Sequence, residues 1–98
     1  PHIANVFGGL SGPAIKPVAL AMVHKVSKRV KIPVIGIGGI MDKKDALEFI
    51  IAGASAVQAG TVNFIDPCAA EKMVDGIEDY MLKNRIMNIR QIRGSLNY

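Results

Sequence analysis

Val34-Ile35-Gly36-Ile37-Gly38-Gly39 is the first of two stretches that decide the fold of this 98-residue chain, and Ala56-Val57-Gln58-Ala59-Gly60-Thr61 is the second. Each is a short apolar run without polar alternation, which is typical of a buried parallel strand, and each ends directly in glycine. Glycine in that position lets backbone N–H groups approach an anion closely, so the stretches predict a phosphate site. Two consecutive βα units of this kind follow the seventh and eighth strands of a (β/α)8 barrel, where a phosphate is held beside a short extra helix.

The segment before the first strand is predicted to be a loop followed by a helix. Residues 1–15 contain three glycines and two prolines without a helical or strand period, so they predict a long irregular loop. Lys16-Pro17 is predicted to open the helix, because proline is favoured in the first turn. The apolar face of this helix is predicted from residues at helical spacing, namely Ala19, Met22, Val23, Val26 and Val30.

The two strands are predicted at residues 34–37 and 56–59, with one helix between them and another after them. Asp42 is predicted to cap the first of these helices, and Asp66-Pro67 to open the second. Their apolar faces are predicted as Leu47, Ile50, Ile51 and Ala54 in the first and Ala70, Met73, Val74, Ile77 and Met81 in the second. Two strands cannot close a barrel, and parallel strands need cover on both faces, so we expect the chain to be part of a larger one.

The composition indicates a folded domain rather than a disordered or membrane segment. The chain is 50% hydrophobic with a mean hydropathy of +0.29, which is enough apolar material for a core. No apolar run approaches the roughly 20 residues that span a bilayer, and the N-terminus has no basic lead and no apolar signal core. We therefore expect a cytoplasmic protein with no membrane partner. A single cysteine, Cys68, excludes an internal disulfide.

The net charge of +4 is concentrated near the C-terminus. Residues 1–82 carry eight basic and eight acidic side chains, and the excess comes from Lys83, Arg85, Arg90 and Arg93. Residues 83–98 are therefore predicted to form a basic tail. Because no aromatic platform alternates with these charges, the tail indicates a solvated terminus or a subunit contact rather than a nucleic-acid surface.

Gly38, Gly39, Gly60 and Thr61 are the candidate phosphate contacts, because they offer converging N–H donors and the Thr61 hydroxyl. The alternative is that these glycines only make tight strand-to-helix turns, and either pair alone would favour that interpretation. Two pairs that lie 22 residues apart across one helix favour a binding site instead. The loop Gly8-Gly9-Leu10-Ser11-Gly12 is predicted on the same rim, so it is a third candidate contact to one ligand.

No residue of the chain is predicted to be a catalytic group or a metal ligand. Cys68 lies near a predicted helix N-terminus, where a thiolate is stabilised, yet no base is identifiable near it, so it is predicted to be a packing residue. His2 and His24 lack metal-ligand spacing and are predicted to lie at the surface. The carboxylates of the last helix follow its polar face and do not form a catalytic pair.

Three segments of the sequence closely resemble dihydroorotate dehydrogenases, specifically the class 1B catalytic subunits. They are residues 5–17, residues 32–40 and residues 52–61. The similarity extends over almost the whole chain, including Gly76-Ile77-Glu78-Asp79-Tyr80, and becomes loose only in the tail. The sequence Gly-Leu-Ser-Gly-Pro-Ala-Ile-Lys-Pro at residues 9–17 resembles class 1B more than the fumarate-using class 1A.

The resemblance implies an FMN-dependent (β/α)8 TIM barrel that oxidises (S)-dihydroorotate to orotate in pyrimidine synthesis. The family's FMN-contact positions correspond to Gly12, Gly38, Gly39, Gly60 and Thr61, the last four around the phosphate group. Residues 1–98 would be the C-terminal part of one FMN-binding domain, from the end of the sixth βα loop and the sixth helix through strands seven and eight to the final helices. The resemblance also implies a partner subunit that carries FAD and a 2Fe–2S cluster and passes electrons to NAD, and a homo-oligomer.

Family members are about three times as long as this chain, close to the usual size of such barrels. Their remaining part carries the catalytic cysteine base, the flavin-contacting lysine and the substrate-binding asparagines. Cys68 does not match the catalytic position, so we expect the 98-residue chain alone to be inactive. Two alternatives stay open, another phosphate-binding TIM-barrel enzyme and a non-catalytic phosphate-binding or assembly module. A bound yellow chromophore would argue against the first, and a stable monodisperse 98-residue species would favour the second.

Overall fold

A computed structural model describes residues 10–95, so His2, Gly8 and Gly9 lie outside the described residues. The helices are α1 (Lys16–Ser27), α2 (Lys43–Ala52), α3 (Val62–Ile65) and α4 (Ala69–Lys83), and the strands are β1 (Ile35–Ile37) and β2 (Ala56–Gln58). Two short 3-10 turns, Pro13–Ile15 and Ile89–Gln91, precede α1 and follow α4. The order of helices and strands is the predicted one, with α3 added after the second strand.

The strands β1 and β2 form a parallel pair in which Ile35 lies opposite Ala56 and Ile37 lies opposite Gln58. Both strands are one residue shorter than predicted. Their connection through α2 makes a βαβ unit, which requires a helix-length crossover because parallel strands cannot be joined by a tight turn. The carboxyl ends of both strands therefore meet at one edge of the sheet.

The core lies between the sheet and α2. Phe49 is fully buried at its centre, together with residues of α1, α2 and α4. Gly36 lies beneath this ring, because a Cβ at Gly36 would come within 2.6 Å of the Phe49 Cδ1 atom and 3.3 Å of the Ala54 Cβ. The predicted stripe of α2 is partly correct, since Leu47, Ile50 and Ala54 are buried, but it omitted the residue at the centre of the core.

The opposite face of the sheet is open among the described residues. Ile35 and Ile37 are 54% and 55% exposed, whereas Gly36 between them is buried. The described residues therefore do not supply the cover on both faces that parallel strands need, as expected of part of a larger chain. The physical reason is that the described helices pack against one face of the sheet only.

The first helix begins at Lys16, as predicted, with Pro17 in its first turn. Its predicted apolar face is only partly buried: Val23 packs into the core, whereas Met22, Val26 and Val30 are exposed. Side chains four residues apart lie on the same side of a helix, so Met22 and Val26 form one exposed strip, and Val30 follows after the end of α1 at Ser27. No described element covers that strip.

The last helix begins at Ala69, two residues later than predicted. Asp66 nevertheless caps the turn before it, because its Oδ1 accepts a hydrogen bond from the Cys68 N–H at 3.0 Å. Ala69 and Met73 are the buried residues of this helix. Ala70 and Val74, which were predicted to be buried, are exposed, because the helix faces the core about one residue away from the predicted stripe.

The tail contacts the C-terminal end of α2, and a side-chain cap begins that helix. Asp42 caps α2 as predicted, since its side chain accepts from the Asp45 N–H at 3.0 Å. At the other end, the N–H of Gly94 donates to the Ile50 carbonyl at 3.0 Å. The described part of the basic tail therefore folds back on α2.

Within residues 10–95, no helix is long and apolar enough to cross a membrane.

Candidate functional site

A cavity of about 340 Å³ lies at the carboxyl ends of the two strands. All five residues predicted as ligand contacts line it, although they come from three separate segments of the chain. The lining residues are Leu10, Ser11, Gly12, Ile15, Ile37, Gly38, Gly39, Ile40, Met41, Gly60 and Thr61. Gly8 and Gly9, named with the first glycine-rich loop, lie outside the described residues.

The turn after β1 packs against the start of α1. Gly38 and Gly39 have φ angles of 125° and 74°, which non-glycine residues rarely adopt. A Cβ at Gly39 would lie 2.9 Å from both the backbone N and the Cα of Lys16. These two glycines therefore have a structural requirement of their own, which agrees with the alternative that they make a tight strand-to-helix turn.

Gly60, after β2, differs from Gly38 and Gly39. It has no positive φ angle, and a Cβ built on it would meet no atom within 4 Å. Nothing in the described residues thus requires glycine at this position. Because Gly60 lines the cavity, its missing side chain leaves room there for a ligand to approach the backbone.

Thr61 and Gly12 join the second and third segments. A Cβ at Gly12 would lie 4.0 Å from the Thr61 Cγ2, so residues 49 positions apart in the sequence are neighbours at the cavity. The Thr61 side chain makes no capping hydrogen bond to α3. Its hydroxyl is therefore available as a donor beside the backbone N–H groups.

The lining has no charged side chain among the described residues. An anion in the cavity would be held by backbone N–H groups and hydroxyls, as in other backbone-formed anion sites. The apolar side chains of Leu10, Ile15 and Ile40 supply the rest of the wall. Leu10 belongs to the loop that was predicted as a third contact, whereas Ile15 and Ile40 were not predicted, and their position near the glycines was the signal that could have found them.

Lys16 lies behind the turn after β1, where two carboxylates hold its ammonium. It forms an ion pair with Asp45 and a second one with Glu48 at 3.0 Å. The other carboxylate oxygen of Asp45 accepts from the Met41 N–H at 3.0 Å. Lys16 and Asp45 are mostly shielded from solvent, with side chains 21% and 14% exposed.

The pKa values of this pair reflect their contacts. Burial alone would raise the pKa of Asp45, but the hydrogen bonds from Lys16 and from the Met41 N–H outweigh that effect and hold the pKa below its usual value. The hydrogen bond to Asp45 raises the pKa of Lys16 above its usual value, with a further contribution from Glu48. Both groups are thus ionised over the physiological range of pH.

The other residues considered from the sequence lie away from the cavity. Cys68 is exposed before α4, so the prediction that it is a packing residue is wrong among the described residues, and His24, predicted at the surface, is half-buried on α1. Neither lines the cavity. In the part of the chain that the structure describes, no group of three or more histidine, cysteine or carboxylate side chains could hold a metal ion.

Comparison with known proteins gives a consistent set of relatives. The family model for dihydroorotate dehydrogenase matches residues 1–81. The chain is 59% identical over 96 residues to the dihydroorotate dehydrogenase B (NAD(+)) catalytic subunit of Geotalea daltonii, covering 98% of this chain and 32% of that protein. It is 58% identical over 90 residues to the protein of the same name from Petrotoga mobilis, covering 92% and 30%. The chain thus spans about a third of the length of the curated relatives it matches.

Solved structures agree with the sequence relatives. The crystal structure of the dihydroorotate dehydrogenase of Eimeria tenella in complex with ferulenol matches with a TM-score of 0.82 and 31% sequence identity, over 90% of this chain and 24% of that one. The ligand-free structure of the Eimeria tenella enzyme matches with a TM-score of 0.81 at the same identity.

Proposed function

This chain belongs to the dihydroorotate dehydrogenase family, and we propose that it forms the phosphate-binding end of an FMN-dependent enzyme that oxidises (S)-dihydroorotate to orotate in pyrimidine synthesis. The observation that carries the proposal is the convergence of Gly12, the Gly38-Gly39 turn and the Gly60-Thr61 turn on one uncharged cavity. Gly60 is the most informative of these residues, because no contact within the described chain explains its glycine.

The residues of the cavity fit the phosphate end of FMN. Gly38, Gly39, Gly60 and Thr61 would hold the phosphate through N–H groups and the Thr61 hydroxyl, and Gly12 would add a contact from the opposite segment. Bound there, FMN would supply the acceptor for the hydride removed from the substrate. The apolar wall would exclude water from the charged phosphate and so strengthen its hydrogen bonds.

We further propose that residues 1–98 are the C-terminal part of a single FMN-binding (β/α)8 barrel, with β1 and β2 as its seventh and eighth strands. The proposal has two supports: the chain spans about a third of its relatives' length, and the sheet face that carries Ile35 and Ile37 is open. In a barrel, other strands and their side chains would cover that face. Residues 83–98 would form a basic tail, and the hydrogen bond from the Gly94 N–H to the Ile50 carbonyl supports its contact with α2.

The catalytic base is proposed to lie in the remaining part of the longer protein. No titratable side chain lines the described cavity, and hydride transfer with proton removal needs a positioned base. The 98-residue chain alone would therefore contribute to cofactor binding without turnover.

A partner subunit is part of the proposal. The relatives are named catalytic subunits of an enzyme that uses NAD(+), which supports a second subunit that carries electrons away. We propose that this subunit holds FAD and a 2Fe–2S cluster, that the catalytic chain forms a homo-oligomer, and that the enzyme is cytoplasmic.

The test is made on the full-length protein that contains this chain. Its absorbance spectrum should show bound flavin, and dihydroorotate should be converted to orotate with an artificial electron acceptor. A colourless protein that binds a sugar phosphate or nucleotide in the same cavity would favour the alternative of a flavin-free TIM-barrel enzyme. Phosphate binding without any turnover by the full-length protein would favour a non-catalytic module.

A further inference from the structure

We propose that Lys16 and Asp45 are positioning residues that set the affinity of the cavity for the phosphate group of its ligand, without contacting that ligand. The inference rests on the proposed function, because it assumes that the cavity holds a phosphate. Neither residue lines the cavity. They lie behind it, where the segment that carries Gly12 meets the turn that carries Gly38 and Gly39.

On one side of the cavity, Lys16 is connected to Gly12 through a single 3-10 turn. The N–H of Ile15 donates to the Gly12 carbonyl at 3.1 Å and closes the 3-10 turn at residues 13–15. Lys16 follows immediately as the first residue of α1. A shift of the Lys16 backbone would therefore move Gly12 and the wall on its side.

On the other side, Asp45 is connected to the turn after β1. Its Oδ2 accepts the Met41 N–H at 3.0 Å, and Met41 lies two residues after Gly39 and lines the cavity. Its own N–H is held by the Asp42 side chain at 3.0 Å, so the carboxylate is presented from a capped helix end. The single carboxylate of Asp45 thus joins the Lys16 ammonium to the glycine turn.

The segment that begins α1 and the turn after β1 also touch directly, so the distance between them has a lower limit. Gly39 lies so close to the Lys16 backbone that a Cβ would come within 2.9 Å of it. Backbone contact limits approach, and the ion pair resists separation. Glu48 is a second partner for the same ammonium at 3.0 Å. Charge-assisted hydrogen bonds between groups shielded from water are the stronger kind, and outer contacts of this type commonly set the affinity of a binding site.

A positioning role and a direct role of Lys16 as a phosphate ligand predict opposite effects of Asp45→Asn on the affinity for the phosphate. If Lys16 bound the phosphate, Asp45 would compete for its ammonium, and Asp45→Asn would strengthen binding. If the pair positions the two walls, Asp45→Asn weakens binding. The amide of the variant keeps the side-chain volume and an acceptor for the Met41 N–H, but loses the ion pair with Lys16.

The experiment measures the dissociation constants of FMN and riboflavin for the full-length apoprotein by flavin fluorescence. Riboflavin lacks the phosphate, so the ratio of the two constants isolates the phosphate end of the site. We expect Lys16→Met and Asp45→Asn each to reduce the preference for FMN over riboflavin about tenfold. The double variant should lose little more than either single one, because both remove the same contact. Lys16→Arg should restore most of the preference.

The matched control is Lys83→Met. It removes the ion pair between the Lys83 Nζ and the Asp79 Oδ2, which are 3.0 Å apart on α4 and away from the cavity. It should leave both dissociation constants unchanged. The phosphorus NMR signal of bound FMN should shift in Lys16→Met and Asp45→Asn and not in Lys83→Met. If Lys16→Met does not yield folded protein, Asp45→Asn carries the same measurements.

Three outcomes would overturn the proposal. Equal loss of FMN and riboflavin affinity would show that the pair only stabilises the fold. Tighter FMN binding by Asp45→Asn would make Lys16 a direct ligand, and unchanged affinities in both variants would remove the pair from any role in binding. Failure of the proposed function is distinguishable, because the wild-type protein would then show no FMN binding at all.

Discussion

Gly36 and Phe49 share one space in the core: the position that a Cβ of Gly36 would take lies 2.6 Å from the Phe49 Cδ1 atom. The glycine of β1 therefore does not belong to the ligand site, although it stands next to residues that line it. It allows the Phe49 ring, the largest fully buried side chain among residues 10–95, to pack directly on the strand backbone. The strand whose end forms the cavity is held in place by this contact.

The first prediction concerns this packing. Gly36→Ala in the full-length protein should lower the free energy of unfolding by about 1–3 kcal/mol, because the added methyl group overpacks the core. Phe49→Leu should relieve part of that cost, so the double variant should be at least about 1 kcal/mol more stable than the sum of the single effects predicts. Urea denaturation of the four proteins measures this coupling. If the changes in unfolding free energy of the two single variants simply add, the Phe49 ring does not resist the added methyl group.

The second prediction concerns Gly60. Gly60→Val should fold normally, since the built Cβ has no neighbour within 4 Å, but it should weaken FMN binding by about 2 kcal/mol, or about 30-fold, by blocking approach to the backbone. Flavin content per chain and the FMN dissociation constant are the measurements. Ala70→Val, at an exposed position of α4, is the control for adding a branched side chain. A folded Gly60→Val protein with unchanged affinity would exclude Gly60 from the site.

The third prediction concerns pH. Because the folded pKa of Asp45 lies below its ordinary value of 3.8, its contribution to stability is complete above that value and is lost as the pH falls through the folded pKa. Because the folded pKa of Lys16 lies above 10.5, its contribution is complete below 10.5 and is lost as the pH rises through the folded pKa. Glu48 remains as the second partner of Lys16.

The free energy of unfolding should therefore be measured against pH for the wild-type protein and for the double variant Lys16→Met/Asp45→Asn. The difference between the two curves should be constant near neutral pH and should shrink below about pH 4 and above about pH 10.5. Curves that stay parallel through both limits would contradict the assigned pKa directions.

The fourth prediction concerns the activity of the 98-residue chain by itself. It should form no orotate from dihydroorotate in the presence of FMN and an artificial acceptor, because loss of substrate positioning and of the base is severe. The full-length protein is the positive control. Substantial turnover by the short chain would refute this prediction and would return Cys68 to consideration as a catalytic group.

Adding the rest of the protein as a separate chain extends the same assay. The missing portion should restore some orotate formation, because fragments divided in a loop often reassociate when each keeps its folded units. No restoration with two folded, associated fragments would argue against the proposed position of this chain in the barrel.

Features that depend on neighbouring residues in the chain were predicted well. The structure contains three such features: the start of α1 at Lys16-Pro17, the Asp42 cap of α2, and the two strands that precede the glycine turns. Each of them follows from backbone geometry or from a hydrogen bond within a few residues, so local sequence is sufficient. The predicted start of α4 was wrong, since the helix begins at Ala69 and Asp66 caps the turn before it instead.

Features that depend on packing were predicted less well. The exposed strip of Met22 and Val26 has the helical spacing of a core face, and spacing alone does not show whether a partner covers it. Phe49 was missed because helical spacing places it on the other side of α2 from the predicted stripe, where it packs against Gly36 of β1.

By itself, the sequence determined the two βα units and which glycines end their strands, because period and turn chemistry are local properties. Only the tertiary structure decided that Gly39 is required by its contact with Lys16, that Gly60 opens on free space, and that the Lys16 ammonium is held behind the cavity by Asp45. The contacts of Lys16 with Gly39 and with Asp45 join residues 23 and 29 positions apart in the sequence. Such contacts are set by how the helices pack on the sheet, and no local pattern encodes them.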